Sequence, residues 1–463
     1  MMLIDTNCIK EEAKMITKLR ITNFKSFSDI TVDFTDRNGN PKPLVLIYGE
    51  NGAGKSILLL AILFFAQTLD TFVQSEQFAK AQNDLDKMKS EVSDEPDNAL
   101  KQSFLNFIIN NRFFTLPKLL KQYRQINSHG LLELEIGFKI DGACGSYYSA
   151  FDETKLIKES LSYRINKKRG TIFDISEKNI KINKDIFSNS YKSKIKDLIG
   201  QYWGKHTLLS ILNREVESYN KEFIEKNFNP NLLKWLDWSQ SLSVRTNSAN
   251  LARIEIPIPF MKDLESGNIN NREDEELLLC ERMLRDFYTG LYADVKDVYY
   301  EFTSEEDGFR YQLYFEKMID GRILKIPFNL ESTGTKKLLE IFPSLLSCVA
   351  GKTVFIDEID SGIHDLLMKK VVEALEESIN GQCIVTTHNT LLLELLPQKY
   401  IYIISSNLNG HKSINCISEY SSRTQLNNNM RNKYLRGDYE GIPYPGVIDF
   451  SDFLDEIESL NHN

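Results

Sequence analysis

The chain has 463 residues with 56 Lys and Arg against 65 Asp and Glu, a formal net charge of −9. That balance excludes uniform coating of nucleic acid, although a local basic face still suits a polyanion. With 42% hydrophobic residues, 26% charged, and only 12 Pro and 23 Gly, the composition is that of a folded globular protein, and the length predicts two or three domains or one core with large insertions.

In chain order, the opening MMLIDTNCIKEEAKM lacks an apolar stretch of signal-peptide type, so a cytoplasmic location is expected. Leu44–Tyr48 is a short apolar, β-branched run that reads as a buried strand. It leads into Gly49, Glu50, Asn51, Gly52, Ala53, Gly54, Lys55 and Ser56, and then into an apolar helix. This is the GxxxxGK[ST] pattern in its strand, loop, helix context. Its glycines let backbone N–H groups close around phosphate oxygens, and the helix turns its positive end to the same place. Lys55 is expected to reach the β and γ phosphates, and Ser56 to ligate Mg²⁺. The apolar run 57–66 has ten residues, short of the roughly 20 a membrane span needs, so no transmembrane helix and no membrane partner are expected.

Residues 66–129 follow as a helical insertion with Phe72, Phe78, Phe104, Phe107, Phe113 and Phe114 among charges. Interrupted spacing and Pro117 argue against long heptads. Residues 155–196 carry +8, which leaves −17 for the rest of the chain, and DNA contact is one reading of that segment. A second helical insertion is expected over 186–290, with Trp203, Trp235 and Trp238, as a platform for a partner or signal or as plain packing. Cys8, Cys144, Cys280, Cys348, Cys383 and Cys416 are scattered singly, which argues against disulfides and a Cys-based zinc site.

At 331–337 the segment Glu-Ser-Thr-Gly-Thr-Lys-Lys opens an amphipathic helix, a second anion-binding helix start through Ser332 and Gly334. Thr353–Ile356 is a buried strand ending in Asp357 and Glu358. Adjacent acids there call for a cation, with Asp357 in the Mg²⁺ shell and Glu358 activating water. One strand further on, His388 is placed to sense a γ-phosphate. The C-terminus is acidic, through Asp449, Asp452, Asp455, Glu456 and Glu458.

These elements in this order resemble the ABC-type ATPases of the SMC, RecF and OLD kind, and more narrowly the stand-alone bacterial AAA-type ATPases of anti-phage and abortive-infection systems, such as the Septu, PARIS and AbiL-type subunits. Residues 19–34, 131–148, 293–298, 331–337 and 434–443 carry the likeness. The fold implied is an α/β P-loop head, a mixed sheet with flanking helices and an antiparallel N-terminal β-lobe, interrupted by helical insertions. The first lobe would take 15–65 and 130–185, the second 291–425, and 426–463 would be a C-terminal extension.

By the same resemblance, Ser332 and Gly334 form a signature that departs from LSGGQ and meets the nucleotide of a second subunit. Residues 360–364 form the D-loop, and Lys25 joins the nucleotide site. Gln122 and Gln125 are the two candidates for a Q-loop. ATP and Mg²⁺ are the implied ligands, and a homodimer or higher homo-oligomer the implied assembly. With 58 residues after position 405 there is no room for an appended nuclease of OLD type, so a separate effector, nuclease or toxin, is expected. The alternatives are a RecF-like repair ATPase that clamps DNA directly and, less well matched, a transporter ATPase.

Overall fold

The computed structural model describes residues 14–91, 113–246, 252–254, 256–305, 308–407, 409–419, 429–442, 450–451 and 453–454. Cys8, Phe104, Phe107, Pro443, Asp449, Asp452, Asp455, Glu456 and Glu458 lie outside the described residues. In chain order, β1 (Met15–Phe24) and β2 (Phe27–Asp33) form a hairpin, and β3 (Leu44–Tyr48) runs into the phosphate loop. Then β4 (Leu132–Ile140), β5 (Ala143–Phe151), β6 (Leu156–Ile165), β7 (Lys168–Ser176) and β8 (Asn179–Ile182) extend that hairpin into an antiparallel sheet of order β2-β1-β4-β5-β6-β7-β8.

The second sheet is mostly parallel. It is built from β3 with β9 (Ser243–Arg245), β10 (Ala252–Arg253), β15 (Thr353–Ile356), β16 (Gln382–Thr386), β17 (Ile401–Ser406) and β18 (Lys412–Cys416), in the order β10-β9-β15-β16-β3-β17-β18. A third sheet joins β11 (Ser266–Ile269), β12 (Val295–Glu305), β13 (Gly308–Ile319) and β14 (Arg322–Pro327). Strands β3, β15 and β16 are buried along their whole length, as parallel strands covered on both faces must be. Alternation along β3 divides the interior. Val45 and Ile47 enter one apolar cluster with the antiparallel sheet, and Leu44, Leu46 and Tyr48 enter the other with the signature helix (Thr333–Val349).

The helix after the phosphate loop corrects one expectation. It runs unbroken from Lys55 to Glu91, across the boundary drawn at residue 65, and its Lys55–Asp84 portion is long and apolar enough to cross a membrane by length and composition. Its apolar side chains are already taken up by the core, where Leu58, Leu59, Ile62, Leu63, Phe64, Phe65 and Leu69 are buried against the antiparallel sheet and its neighbours.

Residues 186–290 are mostly helical, through Lys192–Tyr202, Leu208–Ser218, Lys221–Asn227, Pro230–Gln240 and Glu275–Leu291, and they also join the sheets. They contribute β9, which pairs in parallel with β15, and β11, which pairs with β13. Their helix Glu275–Leu291 buries Leu277, Leu284 and Tyr288 in the same cluster as Val298 of β12. Trp235 and Trp238 are fully buried, with the Phe138 ring 5.9 and 5.3 Å from theirs. These two tryptophans serve packing. The strands of this region are two to four residues long, too short to carry a readable period of their own.

A buried carboxylate ties this region to the antiparallel sheet. Glu159 of β6 accepts from the Leu208 N–H at 2.6 Å, Trp203 Nε1 at 3.1 Å, the Tyr147 hydroxyl at 3.1 Å and the Leu209 N–H at 3.4 Å. Burial pushes its carboxyl from 4.5 up to about 7 against the pull of those donors. Because the folded value lies above the unfolded one, its contribution is fully present below pH 4.5 and is lost as pH rises to 7, by roughly 3 kcal/mol. Denaturant unfolding at several pH values is expected to show that slope in the wild type and a flatter one in Glu159→Gln. Parallel pH profiles for the two proteins would reject this assignment.

Candidate nucleotide-hydrolysis site

Parallel register brings the site together. Val385 lies opposite both Leu46 and Ile356, so the ends of β3, β15 and β16 open at one edge of the sheet. Gly49, Gly52 and Gly54 all have positive φ, at 154°, 82° and 115°. Glycine is required at Gly49, where an added Cβ would sit 2.7 Å from the Ile404 backbone carbonyl, and at Gly54, where it would sit 2.7 Å from the Phe27 ring at the tip of the β1–β2 hairpin. Asn51 and Gly52 are exposed on the loop, and Ala53 is buried beneath it.

Lys55 is buried, with Nζ donating to the Gly49 and Glu50 carbonyls at 2.9 and 3.1 Å. Burial lowers its pKa, and Glu358, Asp357, Asp360 and Glu50 oppose that fall. Asp357 is buried and accepts from Ser56 Oγ at 3.1 Å and from Thr386 Oγ1 at 2.6 Å. The Thr386 hydroxyl in turn accepts the Glu358 N–H at 2.7 Å, and Glu358 sits in the left-handed region with φ of 45°. A non-glycine residue there is uncommon and concentrates at functional positions. The hydroxyl and carboxylate donors of Ser56 and Asp357 are hard oxygens, the donor set that suits Mg²⁺.

Thr386 was not legible as a site residue, since a threonine inside a β-branched strand reads as strand. Its hydroxyl bridges the two acidic positions, so Thr386→Val would leave the Glu358 N–H and the Asp357 carboxylate each one partner short. We expect a loss of about 1–3 kcal/mol in denaturant unfolding together with slower ATP turnover. Wild-type stability and turnover in this variant would refute the bridging role.

His388 is exposed at the end of β16, and its backbone N–H donates to Asp360 Oδ2 at 3.1 Å. Partial desolvation and then Lys55 hold its imidazole below the ordinary value, so it is neutral at pH 7. Ser332 is the N-cap of the signature helix, accepting the Thr335 N–H at 3.2 Å. Gly334 packs so closely that an added Cβ would lie 2.7 Å from the Gly362 carbonyl of the D-loop. Ser332 and Gly334 therefore have their neighbours on their own helix and the D-loop.

Lys25 has φ of 51°, donates its N–H to the Tyr123 carbonyl at 2.8 Å, and lines a cavity of about 520 Å³. Gln122 and Gln125 line the same cavity, next to Ile57 of the loop helix. Gln125 is the more tightly held, its N–H on the Asn23 carbonyl at 2.9 Å and Nε2 on Ser28 Oγ at 3.2 Å. Residues 429–442 return to the site, with Tyr434 edge-on to Tyr48 at 5.7 Å and Gly441 against Ile403 of β17.

A glycine-rich loop between a buried parallel strand and a long helix, with a strand that ends in two carboxylates in the same sheet, is the arrangement of a P-loop NTPase core of α/β type. The family model described as "AAA domain, putative AbiEii toxin, Type IV TA system" matches residues 44–394, and the chain belongs to that family. It is 22% identical over 391 residues to an ATP/GTP phosphatase of Helicobacter pylori, covering 83% of this chain and 88% of that protein. It is 38% identical over 61 residues to the Septu protein PtuA of Bacillus mycoides, a match that spans 12% of this chain and 9% of PtuA. Among solved structures it is similar to an SMC head bound to the C-terminal winged-helix domain of ScpA, with a TM-score of 0.40 and 15% identity over 88% of this chain and 99% of that one. The SMC head domain from Thermotoga maritima matches with a TM-score of 0.37 and 15% identity, over 87% and 98% of the two chains.

Proposed function

We propose that this chain binds and hydrolyses ATP with Mg²⁺ as the ATPase subunit of a bacterial anti-phage system, dimerising around the nucleotide and regulating a separate nuclease or toxin. The observation that carries the catalytic part is the linked set Ser56, Asp357, Thr386 and Glu358 beside Lys55. Mg²⁺, when bound, neutralises charge building on the phosphoryl oxygens. Ser56 and Asp357 would hold it. Lys55 would leave its two carbonyls for the phosphates, Glu358 would orient water and take its proton, and neutral His388 would donate a hydrogen bond to the γ-phosphate.

Ser332 is exposed at a helix start, a disposition that suits contact with a nucleotide on a second copy. The local match to PtuA supports the defence reading and an effector partner. The test is phage challenge of cells carrying the gene with its neighbours, together with affinity capture of the tagged protein. Undiminished protection by a Glu358→Gln, Lys55→Met double variant would sink the ATPase role in defence.

A second reading, direct DNA clamping, has one observation in its favour. Lys167, Lys168 and Arg169 are exposed at the β6–β7 turn, where Arg169 reaches the Ser146 hydroxyl at 3.4 Å. If it holds, neutralising all three should weaken DNA binding and flatten its salt dependence by about three phosphate contacts. Unchanged salt dependence would dismiss it.

A further inference from the structure

Lys412 opens β18, two strands away from β3 across β17, yet its side chain reaches back to the phosphate loop. Nζ donates to the Gly52 carbonyl at 2.8 Å and to Ser26 Oγ at 2.7 Å, and lies 5.6 Å from the centre of the Phe27 ring. A Cβ on Gly54 would come within 3.6 Å of the same nitrogen. One ammonium thus joins three pieces of chain: the glycine loop, the β1–β2 hairpin turn and the edge of the parallel sheet. The two oxygens it reaches are both neutral, the side chain is half-buried, and Glu50 is the acid that acts on it through space, so its charge is only partly compensated at the place where an anion is expected.

The loop needs such an anchor. Gly52 has φ of 82° with nothing near a would-be Cβ, so no packing against that side of the residue holds the loop there. Within the peptide plane between Gly52 and Ala53 the Gly52 carbonyl and the Ala53 N–H point in opposite directions, so whatever holds the carbonyl also aims the N–H. The Ala53 N–H meets the Glu50 carbonyl at 3.2 Å, a long bond compared with those made by Lys412. We propose that Lys412 is a positioning residue of the phosphate site: through Gly52 and Ser26 it keeps the loop amides aimed inward and adds a second positive charge to the loop that also carries Lys55. This rests on the reading that the loop binds the phosphates of ATP. Its reach to Gly52, 360 positions back along the chain, is why no local pattern announces it.

The test uses the full chain and Mg²⁺-ATP as the probe, with Lys412→Met, Lys412→Ala, Lys412→Arg and Lys55→Met compared by ATP binding, steady-state hydrolysis and thermal melting. Methionine keeps the stem over Phe27, so it separates loss of charge from loss of packing if Lys412→Ala fails to fold. Lys412→Met is expected to raise both Kd and KM for ATP about tenfold with kcat within about threefold, and Lys412→Arg to recover most of that loss. A Lys412→Met protein that melts earlier but keeps wild-type Kd and KM overturns the inference, since Lys412 would then be structural only. If Lys55→Met is inactive while Lys412→Met binds ATP normally, the inference alone fails. If Lys55→Met turns ATP over at the wild-type rate, the reading beneath it fails.

Discussion

Glu358→Gln is expected to slow ATP turnover by about 10²–10⁴-fold while leaving ATP bound. The amide keeps nearly the same shape at the end of β15, and its backbone N–H keeps the Thr386 hydroxyl at 2.7 Å, so the local fold is retained. What disappears is the ability to take a proton from water. Asp357, proposed above to hold Mg²⁺, keeps its carboxylate, so nucleotide affinity should change little. A protein that binds without hydrolysing should then accumulate as an ATP-dependent dimer if Ser332 and Gly334 contact nucleotide across an interface. Phosphate release and light scattering with and without ATP measure the two effects separately. Turnover within threefold of wild type would remove Glu358 from the chemistry, and a strictly monomeric ATP-bound variant would count against the sandwich.

Lys55→Met acts earlier in the cycle. The Lys55 ammonium is buried on two backbone carbonyls, and Glu358, Asp357, Asp360 and Glu50 all interact with it. Removing it strips the phosphate site of its central cation, and ATP affinity is expected to fall at least a hundredfold. It also leaves the carboxylates at the strand ends facing one another without that countercharge, so the empty protein should lose about 1–3 kcal/mol of stability. Added salt should restore part of that loss by screening the acids. Isothermal titration with ATP and denaturant unfolding at low and high salt check both parts. Retained affinity would contradict the phosphate role, and salt-independent stability would contradict the electrostatic one.

Much of the site was legible because its chemistry is written in short, contiguous strings. Residues 49–56 announce a phosphate loop through glycines followed by Lys and Ser, and Asp357 with Glu358 stand out because paired acids after a buried strand are costly without a cation. The antiparallel lobe was expected from the family likeness of residues 19–34 and 131–148 rather than from a strand period. The short strands within 186–290 were not legible for a physical reason: β9, β10 and β11 are two to four residues long, and they are strands through pairing of β9 with β15, β10 with β9 and β11 with β13. The apolar run 57–66 was undervalued because its continuation as helix depends on packing against the antiparallel sheet, where polar residues on the far face interrupt the run but leave the helix intact.

By itself, then, the sequence determined the α/β P-loop class and the order of its motifs, and it singled out the acids, lysine and serine proposed to carry the chemistry. Each rests on a local string or a local period. Only the tertiary structure decided which further groups converge on them: Thr386 between Asp357 and Glu358, Asp360 on the His388 N–H, and Lys412 on Gly52 and Ser26. Ser56 and Asp357 lie 301 positions apart, and Lys412 and Ser26 lie 386 apart. A hydrogen bond reaches only about 3 Å, so pairs this distant along the chain meet only where strand register brings them level, and register is a property of the assembled sheet.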